Sequence, residues 1–461
     1  MKVVVLGGSP KGATSVTMQY VNYIKKVLPE HEYEILQISR RIKKLERDRQ
    51  AFSEVIGKVR SSDLVIWAFP LYVLLVPSQY KRFIELIWER NVQDAFSRKY
   101  AAVLTTSIHF IDHTTHSYMH SICDDLEMNF AGFFSAEMHD LRELAGQNKT
   151  RQFGEQIIES VKHNISIPKQ FPPLVQIDFE YLPGPIDKKI EVHGKRVVIV
   201  HDAREGQNNL LNMIEQIKKS FGGLVEQYNL YEVDIVAGCQ GCMKCRQNYE
   251  CALKDKDGYV DFYNERIKPA DILIFAGAIN DRFLSSRWRM FFDRSFFNCH
   301  TPSLMGKQFG FLISGPLSQT GNIREVFEGY VQWQRSNVVD FVSDEVADSA
   351  ALDAQLSGLA ERLVWNSING YIKPMTFLGI GAYKIFRDDI FSKLRFVFQA
   401  DHRFYRKHGY YDFPQKKIGL RLVNILLGLM FRIPRIRKRF DRELRKKMIE
   451  PHQRVVEAAQ P

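Results

Sequence analysis

Four cysteines lie close together in the sequence. Of the six cysteines in the 461-residue chain, Cys239, Cys242, Cys245 and Cys251 form the pattern C-x2-C-x2-C-x5-C. Four thiolates in one short loop suit a [4Fe-4S] cluster or tetrahedral zinc, and successive x2 gaps are more typical of cluster loops than of paired zinc knuckles. The last gap and the Ala252 that follows it depart from the ferredoxin pattern. The loop therefore predicts a metal site, with zinc or unmetallated thiols as alternatives to the cluster.

A second group of polar residues follows the first apolar run of the chain. After Gly7-Gly8, a helical pattern opens with hydroxyls and one cation, namely Ser9, Lys11, Thr14, Ser15 and Thr17. Backbone N–H groups and the helix dipole favour an anion at such a position. The spacing matches neither the dinucleotide fingerprint nor the P-loop. We therefore predict a phosphate site of another type; the alternative is an ordinary strand-to-helix turn rich in small polar residues.

The hydrophobic pattern predicts the elements that position these groups. Short apolar runs at residues 2–7, 33–38, 63–69 and 100–106 alternate with helix-like segments. Such alternation is typical of a doubly wound parallel sheet. In open sheets of this kind, ligands lie at the carboxyl ends of the strands. The loops that follow the strands are therefore the expected binding site.

The chain is long enough for two domains and an appendage. Residues 166–195 contain five prolines and no sustained periodicity, which predicts a linker. A second round of strands starts at residue 196 and repeats the order and spacing of the first, which predicts an internal duplication. We therefore expect an α/β fold class with doubly wound parallel-sheet domains at residues 1–165 and 196–370. A mainly helical, basic extension is expected at residues 371–461.

Three motifs of the first domain resemble those of a known family. Gly8-Ser9-Pro10-Lys11 follows the first strand, Pro70-Leu71-Tyr72 follows the third, and Lys81-Arg82-Phe83 lies in the next helix. Together they resemble the flavodoxin-like NAD(P)H-dependent FMN reductases. The resemblance implies two flavodoxin-like domains, FMN as the cofactor and NAD(P)H as the cosubstrate.

The resemblance also implies roles for individual residues. In that family the first loop binds the FMN phosphate and the second lies against the isoalloxazine. The candidate cofactor-binding residues are Ser9, Pro10, Lys11, Ser15, Thr17, Pro70, Leu71, Tyr72, Val73, Ser107 and His109. No catalytic residue is assigned, because the flavin itself accepts hydride and passes on electrons.

The second domain resembles a different branch of the same family. Its cysteine loop, followed by Lys254–Gly258, is similar to that of the iron-sulfur flavoproteins, in which a cluster exchanges electrons with FMN. Its first loop lacks Gly-Ser-Pro, and the run Gly277-Ala278-Ile279-Asn280-Asp281-Arg282-Phe283 stands where Pro-x-Tyr is expected. Members of the family pair their domains as homodimers. The resemblance therefore implies an intramolecular pseudo-dimer, with FMN in one half and the metal in the other.

Four histidines follow the fourth predicted strand. His109, His113, His116 and His120 recur at i, i+4, i+7 and i+11, so a helix would carry them on one face. Three interpretations are open: hydrogen bonding within the fold, proton or hydrogen-bond donation to a reduced flavin by His109, and a metal site.

The positive charge of the chain is confined to its end. The net charge is +11, but residues 371–461 hold 21 Lys and Arg against 8 Asp and Glu, so the remainder is close to neutral. An apolar run at residues 418–433, too short to span a bilayer, precedes a polybasic stretch. This pattern fits either a helix packed on the domains or docking on an anionic membrane surface, and nucleic acid is the least favoured partner.

These observations lead to one expected function and one rival. The chain is expected to be an oxidoreductase. A cytoplasmic location is expected because Met1 leads directly into a strand without a signal-peptide pattern, and docking at a membrane surface is the peripheral alternative. The enzyme would transfer electrons between NAD(P)H or a protein donor, FMN and a [4Fe-4S] cluster. The rival is a non-enzymatic electron carrier or metal-stabilised scaffold held at a membrane surface.

Overall fold

A computed structural model describes residues 1–186 and 188–459. Position 187 of the predicted linker and positions 460 and 461 of the predicted extension lie outside the described residues. The chain divides into two compact units, residues 1–404 and residues 405–461. The first unit holds both parallel sheets and the second holds the apolar and polybasic helices.

The first domain is a parallel five-stranded sheet with the order β2-β1-β3-β4-β5. Its strands are β1 (Lys2–Gly7), β2 (Glu32–Gln37), β3 (Leu64–Pro70), β4 (Tyr100–Ser107) and β5 (Asn129–Glu137). Its helices are α1 (Val16–Val27), α2 (Ile38–Arg47), α3 (Arg49–Arg60), α4 (Ser78–Glu89), α5 (Asp112–Asp125) and α6 (Leu144–Lys162). Every residue of β3 is buried, because helices cover both faces of a doubly wound sheet.

The second domain repeats this architecture, with the order β10-β9-β8-β6-β7 and all neighbours parallel. Its strands are β6 (Val197–His201), β7 (Val225–Asn229), β8 (Ile272–Ala278), β9 (Gln308–Ser314) and β10 (Asn337–Ser343). Its helices are α7 (Asn208–Ser220), α8 (Tyr259–Phe262), α9 (Ser286–Ser295), α10 (Gly321–Trp333) and α11 (Ser349–Asn369). The predicted fold class, two flavodoxin-like α/β domains followed by a helical region, is confirmed.

The edge strands β5 and β10 were not predicted from the sequence. β5 contains Gly132, its pairing with β4 shifts register, and several of its side chains are half-exposed. β10 carries Asp340, where its pairing with β9 shifts as well. Both strands therefore lack the continuous apolar run that made the central strands recognisable.

The two domains meet through α4 and α9 in a pseudo-two-fold arrangement. The Ser78 backbone N–H donates to Asp293 Oδ2 at 2.7 Å, and the equivalent N–H of Ser286 donates to Glu85 Oε1 at 2.5 Å. Leu74 and Arg282, at matching positions of the loops before these helices, both have left-handed backbones with φ of 62° and 58°. The halves thus contact each other as the subunits of a symmetric dimer do.

Buried charges complete this interface. Lys81 and Arg289 occupy equivalent positions of the two helices and are both fully buried. Lys81 forms ion pairs with Asp281 and Glu85, while Arg289 pairs with Asp293 at 2.6 Å. Buried ions of this kind are tolerated only with partners, and for Lys81 one partner, Asp281, comes from the second domain, whereas Arg289 and Asp293 belong to the same helix.

After the second domain come helices α12 (Phe377–Phe391) and α13 (Gln399–Lys407). The Phe386 ring lies 5.3 Å from that of Phe110 in the first domain and 5.4 Å from that of Trp333 in the second, measured between centroids. Lys393 forms an ion pair with Glu137 at 2.5 Å. Residues 377–393, part of the predicted extension, therefore pack on both domains.

The second unit contains α14 (Ile418–Met430) and α15 (Pro434–Ala458). None of the residues of α14 is buried, and its leucines and isoleucines are 40% to 65% exposed. Among the described residues, no helix is long and apolar enough to cross a membrane.

Candidate functional site

The loop between β1 and α1 forms a tight turn at the start of the helix. The Gly8 N–H donates to the Ala68 carbonyl of β3 at 2.7 Å, and Gly12 adopts a left-handed backbone with φ of 63°. Ser15 caps α1 by accepting a hydrogen bond from the Met18 N–H at 3.2 Å. The N–H groups of the first turn of α1 point out of the helix end, where they can receive a phosphate.

Two side chains from the end of β2 and the start of α2 flank this loop. A Cβ placed on Gly12 would lie 3.4 Å from Arg40 Nη1 and 3.4 Å from Gln37 Oε1. Gln37 Oε1 is buried without a hydrogen-bond partner in the described structure. Arg40 and Lys11 therefore supply positive charge, and Gln37 an unused acceptor, around the turn. Arg40 was not predicted, because only the parallel pairing of β1 with β2 places it there.

The Tyr72 side chain contacts the loop between β1 and α1. Its hydroxyl hydrogen-bonds to the Ser9 side chain, and the Lys11 ammonium is 6.0 Å from the centre of its ring. Burial raises the pKa of Tyr72, so the phenol stays protonated at neutral pH. The structure thus brings Tyr72, from the second predicted motif, next to Ser9 and Lys11 of the first.

The loop that carries Tyr72 is held by the second domain. The Arg289 guanidinium donates to the carbonyls of Val73, at 2.6 Å, and Val76, at 3.0 Å. The Leu71 N–H donates to the Thr106 carbonyl of β4 at 3.0 Å. The segment Pro70–Val73, predicted to lie against the isoalloxazine, is therefore fixed on both sides.

The other predicted cofactor residues lie further from this cluster. Thr17 is fully buried and its hydroxyl pairs with that of Thr106 at 2.6 Å, beneath the loop. Pro10 is half-buried in the loop itself. At the end of β4, the Ser107 hydroxyl accepts from the His109 N–H at 2.9 Å. His109 Nδ1 lies 3.0 Å from Asp112 Oδ2, and this hydrogen bond raises the pKa of His109.

The histidines do not form a single helical stripe. His109 precedes α5 and has a left-handed backbone with φ of 63°. His113 pairs with Glu325 of the second domain at 2.5 Å. The His116 and His120 rings stack on phenylalanines of β5 at 4.2 Å and 4.0 Å. These contacts favour packing and hydrogen bonding over the metal interpretation.

The buried His116 predicts a loss of stability in acid. Burial lowers its pKa to about 4, while an unfolded chain binds the proton near the ordinary value of about 6.5. Stability is therefore complete above about pH 6.5 and falls as the pH drops towards 4, by about 2 kcal/mol at pH 5. Urea unfolding at pH 7 and pH 5 measures this loss.

We expect His116→Gln to remove about 2 kcal/mol of this pH-dependent difference. The matched control is His113→Gln, which replaces an exposed histidine of the same helix and is expected to leave the acid loss in place. If His116→Gln loses as much unfolding free energy between pH 7 and pH 5 as the original chain, the lowered pKa of His116 is not the cause of the acid loss.

The cysteine loop of the second domain covers the first-domain site. A Cβ on Gly241 would lie 2.5 Å from the Tyr72 hydroxyl and 2.9 Å from Lys11 Cε. One on Gly238 would lie 1.9 Å from Ser78 Oγ, and Gln79 donates to the Cys239 carbonyl at 3.4 Å. Glycine is needed at both positions because the cysteine loop and the first domain approach each other so closely there.

The four predicted thiols do not converge on one point. Cys242 is exposed, and the Cys251 sulfur accepts a hydrogen bond from the Leu253 N–H at 3.5 Å, next to Arg294. Among residues 1–186 and 188–459, no three His, Cys, Asp or Glu side chains form a group that could hold a metal ion. The arrangement therefore does not fit a four-cysteine cage, and the [4Fe-4S] cluster and its zinc alternative stay predictions.

A fifth cysteine, which was not predicted, lies at this loop. The Cys299 thiol hydrogen-bonds to that of Cys245, which raises the pKa of Cys299 and lowers that of Cys245. Both residues are buried, at 1% and 8% exposure. Cys299 lies 48 positions beyond Cys251, so the local spacing that identified the other four gave no signal for it.

The equivalent position of the second domain is open and differently charged. Sheet pairing aligns Gly7 with His201, so Asp202 stands where the first domain has Gly8, and Glu205 where it has Lys11. Burial raises the pKa of Asp202 to about 6. A cleft of about 650 Å³ lies here, lined by residues that include Arg204, Tyr231 and Asn280. Two carboxyl groups in the loop disfavour a phosphate at this end of the cleft.

Comparison with known proteins agrees with the geometry of the first domain. The family model of NADPH-dependent FMN reductases matches residues 1–132. No curated protein matches the chain significantly.

Several solved structures are similar. An NADH:FMN oxidoreductase in its apo form is 16% identical, covers 34% of this chain and 89% of its own, and has a TM-score of 0.30. The Trp repressor binding protein from Bacillus subtilis is 17% identical over 33% of this chain and 96% of its own, with a TM-score of 0.26. An FMN-dependent NADH-azoreductase from Bacillus anthracis, in complex with FMN, is 14% identical over 35% and 98%, with a TM-score of 0.25.

These structural similarities are too low to carry an argument about activity, so the assignment rests on the sequence match. The first domain is therefore similar to the NADPH-dependent FMN reductases over residues 1–132.

Proposed function

We propose that this chain is an FMN-dependent oxidoreductase that binds one flavin, in its first domain, and reduces it with NAD(P)H. The observation that carries the proposal is the convergence of Ser9, Lys11 and Tyr72 at the carboxyl ends of β1 and β3. These are the strand ends where open α/β sheets bind ligands. The family match over residues 1–132 supports the same cofactor.

The residues of the loop would hold the phosphate end of FMN. Lys11 and Arg40 neutralise its charge, and the first-turn N–H groups of α1 donate hydrogen bonds to its oxygens. The unpartnered Gln37 Oε1 is placed to accept a hydrogen bond from a ligand hydroxyl. Bound FMN supplies the hydride and electron chemistry.

The remaining residues orient the ring and control its surroundings. Arg289 fixes the backbone of residues 73–76, so that Pro70–Val73 present one rigid surface. Gly238 and Gly241 let the cysteine loop close over Tyr72, which excludes water from this side of the site. His109, paired with Asp112, holds a proton at the end of β4, where it can donate to a ligand.

Flavin binding and reduction test this proposal. The apoprotein is titrated with FMN while the quenching of flavin fluorescence is followed, and the complex is then mixed anaerobically with NADPH or NADH. We expect stoichiometric binding and bleaching of the visible flavin band by at least one nicotinamide. Failure to bind FMN would overturn the proposal and favour a non-enzymatic scaffold; binding without bleaching would favour a carrier that receives electrons from a protein donor.

A second, independent function is membrane docking by residues 405–461. The exposed apolar side chains of α14 are followed by the basic helix α15, which begins Pro-Arg-Ile-Arg-Lys-Arg. An apolar helix face next to clustered cations suits insertion at the surface of an anionic bilayer.

Sedimentation with lipid vesicles measures this docking. We expect the full chain to pellet with vesicles that contain phosphatidylserine, and a chain ending at Gln415 to stay in the supernatant. Each basic residue near the surface contributes about 1 kcal/mol, so high salt should release most of the bound protein. Equal sedimentation of both chains would contradict this role.

A further inference from the structure

The disagreement between the predicted four-thiol cage and the observed positions points to another chemistry. Cys251, which the sequence pattern includes, lies beside Arg294 and Tyr259. Cys299, which the pattern omits, contacts Cys245. The partner of the Cys245 thiol is thus Cys299, which lies outside the four-cysteine motif.

Two independent contacts bring Cys245 and Cys299 together. The Cys245 thiol lies 3.7 Å from the Phe296 carbonyl oxygen, and the Cys299 backbone N–H donates to the same oxygen at 2.8 Å. The two cysteines therefore converge on one acceptor, and in agreement with this proximity each thiol shifts the pKa of the other. Cys299 has φ of 50° and ψ of −126°, a backbone conformation that non-glycine residues rarely adopt. Strained conformations of this kind cluster at functional sites.

One member of the pair, Cys245, lies in the loop that covers the first-domain site, and the other, Cys299, follows α9. Cys245 follows Gly241, which touches Tyr72, by four positions, and Cys239 lies next to both Tyr72 and the two thiols. The buried dithiol is thus carried by the segment that contacts the proposed flavin site.

We propose that Cys245 and Cys299 form a reversible disulfide that exchanges electrons with the flavin of the first domain. In the oxidation, each thiol loses one hydrogen and one S–S bond forms, while oxidised FMN would accept the two electrons and two protons released. In the reverse direction, two-electron-reduced FMN supplies both electrons, the S–S bond breaks, and each sulfur takes up a proton. The second half of this proposal rests on the flavin binding proposed above, whereas the disulfide itself does not.

Peptide mapping of the full chain tests the disulfide. The protein is oxidised with diamide, the free thiols are alkylated, and the digested peptides are analysed by mass spectrometry with and without dithiothreitol. We expect a mass loss of about two hydrogens and one linked peptide pair, Cys245–Cys299. A different cysteine pair, or no loss of thiols, would overturn the proposal.

Two matched serine variants separate the dithiol from a metal site. We expect Cys299→Ser to abolish the linked pair and Cys251→Ser to retain it. If instead the anaerobically purified protein carries stoichiometric iron or zinc that Cys251→Ser releases and Cys299→Ser retains, the four-cysteine site is correct and the dithiol is not. Mapping of the unaltered chain decides the matter even if Cys299→Ser fails to fold.

The electron exchange has a separate readout. With FMN bound, NADPH is expected to regenerate two alkylatable thiols in the oxidised protein, and Lys11→Glu to lose most of this recovery. Dithiothreitol should reduce the disulfide in both proteins. If FMN binds and is bleached but no thiols return, the electron exchange is overturned while the proposed flavin function stands; if FMN does not bind, the flavin function fails and the disulfide is judged by mapping alone.

Discussion

Replacing Arg289 with methionine is expected to lower the free energy of unfolding by about 3–5 kcal/mol, because it leaves a buried carboxylate without its partner. Arg289 is fully buried and Asp293 is 1% exposed. The same substitution also removes the donors to the Val73 and Val76 carbonyls of the first domain. Urea unfolding of the full chain, followed by tryptophan fluorescence, measures the change.

The double variant Arg289→Met with Asp293→Asn is the matched control. Asparagine keeps an acceptor for the Ser78 N–H but carries no charge, so we expect it to recover a large part of the lost stability. A single variant that stays within about 1 kcal/mol of the original chain, or a double variant with no recovery, would show that the buried Asp293 carboxylate does not depend on Arg289 for its charge balance.

Reversing the charge of Lys11 is expected to weaken FMN binding by about 10- to 100-fold. The ammonium would lose a charge-assisted hydrogen bond to the phosphate, of about 1.5–3 kcal/mol, and the new carboxylate would repel it. Fluorescence titration with FMN measures the dissociation constant. Because charges at the surface are screened, the effect should shrink at high salt.

The second domain offers the control position for this experiment. Glu205 occupies the place of Lys11 in the corresponding loop, with a left-handed glycine one residue later in both domains. We expect Glu205→Gln to leave the FMN dissociation constant unchanged. An equal loss of affinity in both variants would indicate general disruption and would contradict a phosphate site at Lys11.

The central features of the fold could be read from the sequence because they are local. Buried parallel strands such as β3 appear as continuous apolar runs, and their alternation with helices defines the doubly wound sheet. Ser9, Lys11 and Tyr72 could be grouped because all three follow strands of one sheet, and such strands end at the same edge.

The relation between the two domains could not be read in this way. The approach of Gly241 to Tyr72, and of Cys299 to Cys245, joins segments that lie far apart in the sequence. Arg40 was overlooked because α2 is charged and polar on most of its surface, so one arginine near the phosphate loop has no distinguishing pattern. A short motif indicates which chemical groups a loop carries. It does not indicate which distant segment of the chain packs against that loop.

The reciprocal hydrogen bonds between Ser78 and Asp293 and between Ser286 and Glu85 have a consequence for how the activity depends on dilution. In a dimer of separate chains such contacts are lost when the subunits dissociate. Here one chain supplies both sides, so the local concentration of each half around the other is fixed by the linker. With free FMN held in excess so that the cofactor stays bound, specific activity should therefore stay constant from micromolar to picomolar protein.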